Sequence, residues 1–142
     1  VREHLIMAAR PNERGETPWT MERVLDTFPR LGQRINHDGA LLSGGEQQML
    51  SIGRALTTNP DLMILDEATE GLAPLIRDEI WKIIRTIKAT GISTIIVDKN
   101  IDNLLEVAEK QLLLVKGEVM YSGDSQGLKD NPALLETHLG VA

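Results

Sequence analysis

Asp66 and Glu67 stand directly after the apolar run Leu62-Met63-Ile64-Leu65. An unbroken apolar run of this length suits a strand buried on both faces of a parallel sheet. Ligands of open α/β sheets bind at the carboxyl ends of such strands. A carboxylate there can hold Mg2+ through water, and its neighbour can orient or deprotonate an attacking water. Taken alone, an Asp-Glu pair is better read as the acidic first turn of a following segment. The second stretch able to do chemistry is Leu42-Ser43-Gly44-Gly45-Glu46-Gln47. Ser43 with Glu46 three residues on has the form of a capping box. Adjacent glycines are poor helix formers, yet they leave bare amide groups at a helix N-terminus. Joined by a serine hydroxyl, such amides make a site for phosphate. The order of the two stretches, a phosphate-type helix start, then a helix, then a strand ending in Asp-Glu, is more specific than either one.

The elements that must hold these residues follow from periodicity and punctuation. Residues 2–10 are helix-compatible and end at Pro11, and Pro11 to Pro18 reads as a polar loop around Gly15. Thr17-Pro18 predicts a helix start, N-cap then proline, with Met21, Val24, Leu25 and Phe28 at helical spacing until Pro29. Residues 32–42 are an irregular connection, and the apolar positions of this first third are too few for an independent core. A helix is predicted from Gly44 to Thr58, with Met49, Leu50, Ile52, Gly53 and Leu56 inward, until Asn59-Pro60 breaks it. Pro74 opens another helix with the buried stripe Ile76, Ile80, Ile83, Ile84 and Ile87, ended by Gly91. Thr94-Ile95-Ile96-Val97 is a second buried-type strand. Asn100 caps a short helix to about Ala108; Gln111–Val115 and Glu118–Tyr121 are strand-like pieces hinged at Lys116-Gly117, and a helix-leaning tail follows. Strands alternating with helices predict an α/β domain with a mainly parallel sheet.

Composition narrows the partners. The 142 residues suffice for one ordinary domain, and 42% hydrophobic with 25% charged residues is a globular balance. With 15 basic against 21 acidic residues the net charge is −6, so there is no basic footprint and no nucleic-acid partner is expected. There is no cysteine, hence no disulfide framework or thiolate metal site, and His4, His37 and His138 lack ligand spacing. No apolar run reaches the roughly 20 residues of a membrane helix and no signal peptide opens the chain, so a cytoplasmic location is expected. Residue 1 is Val, which leads us to expect a natural start further upstream.

LSGGE at 42–46 resembles the signature motif of the ABC ATPase family, and LMILDE at 62–67 resembles its Walker B strand. The resemblance covers nearly the whole chain. It implies an α/β fold, the C-terminal part of a P-loop NTPase domain, with parallel strands, flanking helices and a helical subdomain. Residues 1–58 would be the helical subdomain with the signature helix, and 59–142 the C-terminal part of the RecA-like catalytic core. Asp66 would bind Mg2+ through water and Glu67 would be the catalytic base. Leu42, Ser43, Gly44, Gly45, Glu46 and Gln47 would face ATP held by the opposite subunit of a head-to-tail dimer, with Ser43, Gly44 and Gly45 on its γ-phosphate. Glu70, Gly71, Leu72 and Ala73 sit where the family has its interface-lining D-loop. The run DEATEGLAPLIRDEIWKII, the strand end IIVDKN and the closing HLGV look like the ATP-binding subunits of branched-chain amino-acid importers. Relatives serving urea or other amides share much of this pattern. The implied function is ATP hydrolysis powering uptake. The implied partners are a second ATP-binding subunit, identical or different, membrane permease subunits and, indirectly, a periplasmic binding protein. Such a subunit would lie peripherally on the inner face of the cell membrane, its residues 1–42 docking a coupling helix of the permease.

Two departures shape the expectations. The family's switch histidine aligns with Lys99, which can place a cation near the γ-phosphate but lacks imidazole's neutral hydrogen bonding; a solvated loop lysine is the plainer reading. No glycine in the chain is followed by lysine, so G-x-x-x-x-G-K-[ST] is not among these residues. The family's Gln-containing loop and its adenine-stacking aromatic are not among them either. Residues 1–142 alone are therefore expected neither to bind ATP tightly nor to hydrolyse it. Their apolar strands, short of neighbours, are expected to leave the isolated chain marginal or molten. Two alternatives stay open, a non-catalytic truncated interaction module and an ABC ATPase acting on DNA or ribosomes; acidic charge and the lack of a heptad run weigh against the second.

Overall fold

The computed structural model describes residues 1–139 and divides the chain into two compact units, Val1–Asp98 and Lys99 onward. Gly140 and Val141 of the HLGV run lie outside the described residues. The expected boundary between residues 58 and 59 falls inside the first unit.

The first unit begins with α1 (Arg2–Ala8), α2 (Met21–Thr27), α3 (Pro29–Gln33) and a 3-10 turn at Gly39–Leu41. The helix expected to start at Thr17-Pro18 starts three residues later, with Thr20 as its cap accepting from the Arg23 amide. Trp19 is the reason. Its ring is buried, and its amide donates to Asn59 Oδ1 at 2.6 Å, which keeps the backbone out of the helix until Trp19 is passed. Pro29 does not end helical structure but occupies the first turn of α3, where its missing N–H costs nothing.

These short helices pack on α4 (Gly44–Thr57). A Cβ on Gly53 would stand 2.8 Å from Val24, 3.5 Å from Leu5 and 3.7 Å from Leu31. Glycine at this point lets α1, α2 and α3 close on one spot of α4. Leu5, Trp19, Val24, Phe28 and Leu31 are all buried. The first third thus contributes to a core only together with α4, which supplies the other half.

After α4 come β1 (Leu62–Asp66), α5 (Pro74–Ala89) and β2 (Ser93–Val97). β1 and β2 pair in parallel, Leu62 opposite Ser93 through Asp66 opposite Val97, and α5 is the crossover that a parallel pair requires. The α5 stripe is as expected at Ile80, Ile83, Ile84 and Ile87, with Trp81 buried beside it and Ile76 half-buried. The strands depart from expectation. Met63 and Leu65 are buried, but Leu62, Ile64, Ile95 and Val97 are 51%, 64%, 50% and 51% exposed. One face of the pair is covered and the other is open.

The second unit holds α6 (Ile101–Val107), β3 (Gln111–Val115), β4 (Glu118–Gly123), α7 (Ser125–Lys129) and α8 (Pro132–Leu139). β3 and β4 are an antiparallel hairpin turning on Lys116 and Gly117, both at positive φ, the backbone that a two-residue hairpin turn demands. The sheets among the described residues are therefore one parallel pair and one hairpin.

Candidate functional site

The start of α4 is built as its residue types predict. Ser43 Oγ accepts from the Glu46 amide at 3.3 Å, and Glu46 Oε2 accepts from the Ser43 amide at 2.8 Å. The Ser43 hydroxyl also donates to Glu46 Oε2 at 2.9 Å. These backbone and hydroxyl bonds, with the Arg34 guanidinium on the other carboxylate oxygen, hold the Glu46 carboxyl below its ordinary value of 4.5, against the opposing effect of burial. Gln47 donates its amide to the Ser43 carbonyl and its side chain to the Leu42 carbonyl. The Gly44 and Gly45 amides, first and second in the helix, take no part in the capping box.

The two glycines differ. A Cβ on Gly45 would stand 2.6 Å from Ile76 Cγ2, so this glycine is demanded by packing on α5. Gly44 is exposed, and a Cβ there would meet only Leu72 at 4.0 Å, an ordinary contact. Its smallness has no packing cause in this chain, which is what close approach of another molecule to the backbone would require.

Asp66 is the last residue of β1 and continues the exposed face of Leu62 and Ile64. Glu67 follows with φ 49, a left-handed backbone in a residue other than glycine, which costs about 1 kcal/mol or more. The turn is held by the Glu67 amide donating to the Val97 carbonyl at 2.7 Å. Two residues on, the Thr69 hydroxyl donates to Asp98 Oδ2 at 2.8 Å, with Thr69 itself buried. Both acids are exposed and the loop behind them is tied to the end of β2. Glu70 and Ala73 are exposed, Gly71 turns the chain at φ 70, and Leu72 reaches Gly44. The structure thus seats the Ser43-Gly44-Gly45 start on the segment that follows the acid pair. Lys99 is the first residue of the second unit.

No three His, Cys, Asp or Glu side chains among the described residues cluster as metal ligands. Two exposed carboxylates at a strand end fit instead a hard cation that keeps much of its water and takes its other oxygens from a phosphate substrate. Sequence reasoning did not find Thr69, Asp98 or Arg34. Only the Arg34–Glu46 pairing had a trace, opposite charges on either side of the loop. No helix among the described residues is long and apolar enough to cross a membrane.

Residues 1–70 match the family model for ABC transporters. The high-affinity branched-chain amino acid transport ATP-binding protein BraG of Pseudomonas aeruginosa is 36% identical over 99% of this chain and 60% of that protein. The probable branched-chain amino acid transport ATP-binding protein LivF of Archaeoglobus fulgidus is 31% identical over 99% of this chain and 60% of its own length. The chain therefore spans 60% of the length of both relatives. Among solved structures, an ATP-binding cassette of an ABC transporter in its ADP conformation has a TM-score of 0.70 at 26% identity, over 84% of this chain and 48% of that one. A nucleotide-free cassette matches in fold, with a TM-score of 0.73 at 22% identity over 98% of this chain and 62% of that one. The fold is part of the ABC ATPase cassette.

Proposed function

This chain belongs to the ABC transporter ATP-binding family, and on that footing we propose that it is part of the ATP-hydrolysing subunit of an importer for branched-chain amino acids. The observation that carries the reading is the seating of Gly44 and Gly45 against Leu72 and Ile76, just beyond Asp66-Glu67. A phosphate-type helix start and an acid pair held by one scaffold suit a reaction in which positioning and charge do most of the work.

In this reading Glu67 orients and deprotonates the attacking water, its carboxylate aimed by the turn that Val97 and Asp98 hold. Asp66 takes Mg2+ through water; the cation, when bound with ATP, offsets the charge of the phosphates. Ser43, Gly44 and Gly45, flanked by Leu42, Glu46 and Gln47, meet the γ-phosphate of ATP held by a second ATP-binding subunit. Glu70, Gly71, Leu72 and Ala73 line that interface, and Lys99 sets a cation at the switch position. Permease subunits anchor the assembly at the inner face of the membrane and a binding protein delivers the cargo. The branched-chain assignment is supported by the two relatives above and by the DEATEGLAPLIRDEIWKII run. Residues 1–58 act as the helical subdomain and 59–142 as part of the catalytic core.

The test is ATP turnover and uptake by the intact protein assembled with its permease. Glu67→Gln is expected to lower turnover by about 100-fold or more while sparing ATP binding; wild-type turnover in that variant would remove Glu67 from its role. Loss of leucine, isoleucine and valine uptake on deletion of the gene supports the cargo, whereas loss of urea uptake instead would reassign it. Purified residues 1–142 are expected to turn over no ATP, and measurable Mg2+-dependent turnover by them would overturn that expectation.

A further inference from the structure

The Ser43 hydroxyl is already engaged. It accepts from the Glu46 amide and gives its proton to Glu46 Oε2, 2.9 Å away. A phosphate oxygen bound by this hydroxyl would therefore sit one hydrogen bond from an atom that itself touches a carboxylate. Two negative groups so close repel, and an uncompensated Glu46 would oppose the anion that the helix start is shaped to receive. Arg34, the residue at which α3 ends, stands on the far side of that carboxylate. Its Nε donates to Glu46 Oε1 at 3.2 Å, and its Nη1 lies 3.4 Å from His37 Nε2. The Glu46 side chain is only 14% exposed, while that of Arg34 is 48% exposed, so the pair spans from the helix start to solvent.

We propose that Arg34 is a positioning residue for the phosphate contact. It neutralises Glu46 and keeps that carboxylate on the Ser43 amide, so that the Ser43 hydroxyl can pass its own hydrogen bond from Glu46 to an incoming phosphate oxygen. The inference rests on the reading of Ser43-Gly44-Gly45 as a phosphate contact. Only a hydroxyl proton has to move. Ser43 Oγ continues to accept from the Glu46 amide, Glu46 Oε2 continues to accept from the Ser43 amide, and the α4 cap survives the exchange. Arg34 does not touch the phosphate; it acts through Glu46 alone.

That last point makes the proposal testable with MgATP and the intact, assembled protein. Arg34→Ala is expected to raise KM for ATP about fivefold, an effect that shrinks as salt is raised, with kcat changed by less than about twofold. Arg34→Lys recovers most of the loss. Glu46→Gln keeps a capping box while removing the charge, so adding Arg34→Ala to it produces no further rise in KM. An equal rise in both backgrounds would overturn the proposal, since Arg34 would then act by another route. Ser43→Ala separates the two levels. If it raises KM while Arg34→Ala does not, the inference about Arg34 alone fails. If Ser43→Ala changes neither constant, the phosphate reading fails and the role of Arg34 falls with it. Should Arg34→Ala lose its fold, Arg34→Gln keeps the stem and reads the same comparison.

Discussion

Gly45 and Glu46 stand side by side at the start of α4 and answer to different forces. The missing Cβ of Gly45 is 2.6 Å from Ile76 Cγ2. Gly45→Ala is expected to destabilise the intact protein by about 1–3 kcal/mol through overpacking, and Ile76→Ala in the same chain, which removes the clashing Cγ2, should recover part of it in thermal unfolding. Recovery by Ile76→Ala but not by a change at Leu72 would tie the cost to this contact. Glu46 titrates below its ordinary 4.5 because the Ser43 amide and hydroxyl, and Arg34, favour its charged form. A carboxyl lowered in the folded state stabilises fully above its unfolded value and loses that contribution as pH falls through the folded one. The stability advantage of wild type over Glu46→Gln should therefore be constant near neutral pH and shrink below about pH 4.5. An advantage that grows on acidification would contradict the cap geometry. The cap was legible from Ser43 and Glu46 alone because it spans three residues; the Ile76 contact was not, since it joins residues 31 apart.

At the scale of elements, Asn59 joins the loop before α2 to the end of α4. It is buried at φ 52, its Oδ1 accepts from the Trp19 amide at 2.6 Å, and its Nδ2 donates to the Arg10 carbonyl at 2.7 Å. Asn59→Ala strands both backbone groups and should cost about 2–3 kcal/mol, read as a drop in the denaturation midpoint of the intact protein. Asn59→Asp keeps an acceptor for Trp19 but sets a buried carboxylate oxygen against the Arg10 and Thr57 carbonyls, 2.7 and 3.3 Å from Nδ2, and should cost at least as much as Asn59→Ala. Arg23 over the Trp19 ring, 4.3 Å from its centroid, adds a further weak tie. From the sequence Asn59-Pro60 reads only as a helix breaker. Its role as a hub depends on residues 40 and 49 positions away. The late start of α2 has the same source. Thr17-Pro18 is a sound local start signal, but a buried Trp19 outweighs local propensity, which amounts to a fraction of a kcal/mol per residue.

For the whole molecule, the open face of the β1–β2 pair sets the behaviour of the isolated chain. Leu62, Ile64, Ile95 and Val97 form a contiguous apolar patch on paired strands, the kind of surface that recruits partners or aggregates. Residues 1–142 alone should bind an apolar dye and melt broadly, and Ile64→Thr with Ile95→Thr should reduce both dye binding and aggregation. A sharp cooperative transition without dye binding would show that this face is not the weak point. In the intact protein the same two substitutions should lower stability by about 1–3 kcal/mol, because there we propose that the face is covered.

The sequence by itself determined the capping box, the strand that runs up to Asp66, the amphipathic stripe of α5 and the hairpin turn at Lys116-Gly117. Each is written within one element or one turn, where periodicity and turn chemistry act over a few residues. The tertiary structure decided which face of β1 is covered, why Gly45 and Gly53 must be glycine, and where α2 begins. It also decided the left-handed backbone of Glu67, which exists because an amide in one strand's exit meets the Val97 carbonyl of another. These facts depend on atoms brought together from distant parts of the chain, and no local pattern encodes the distance between them.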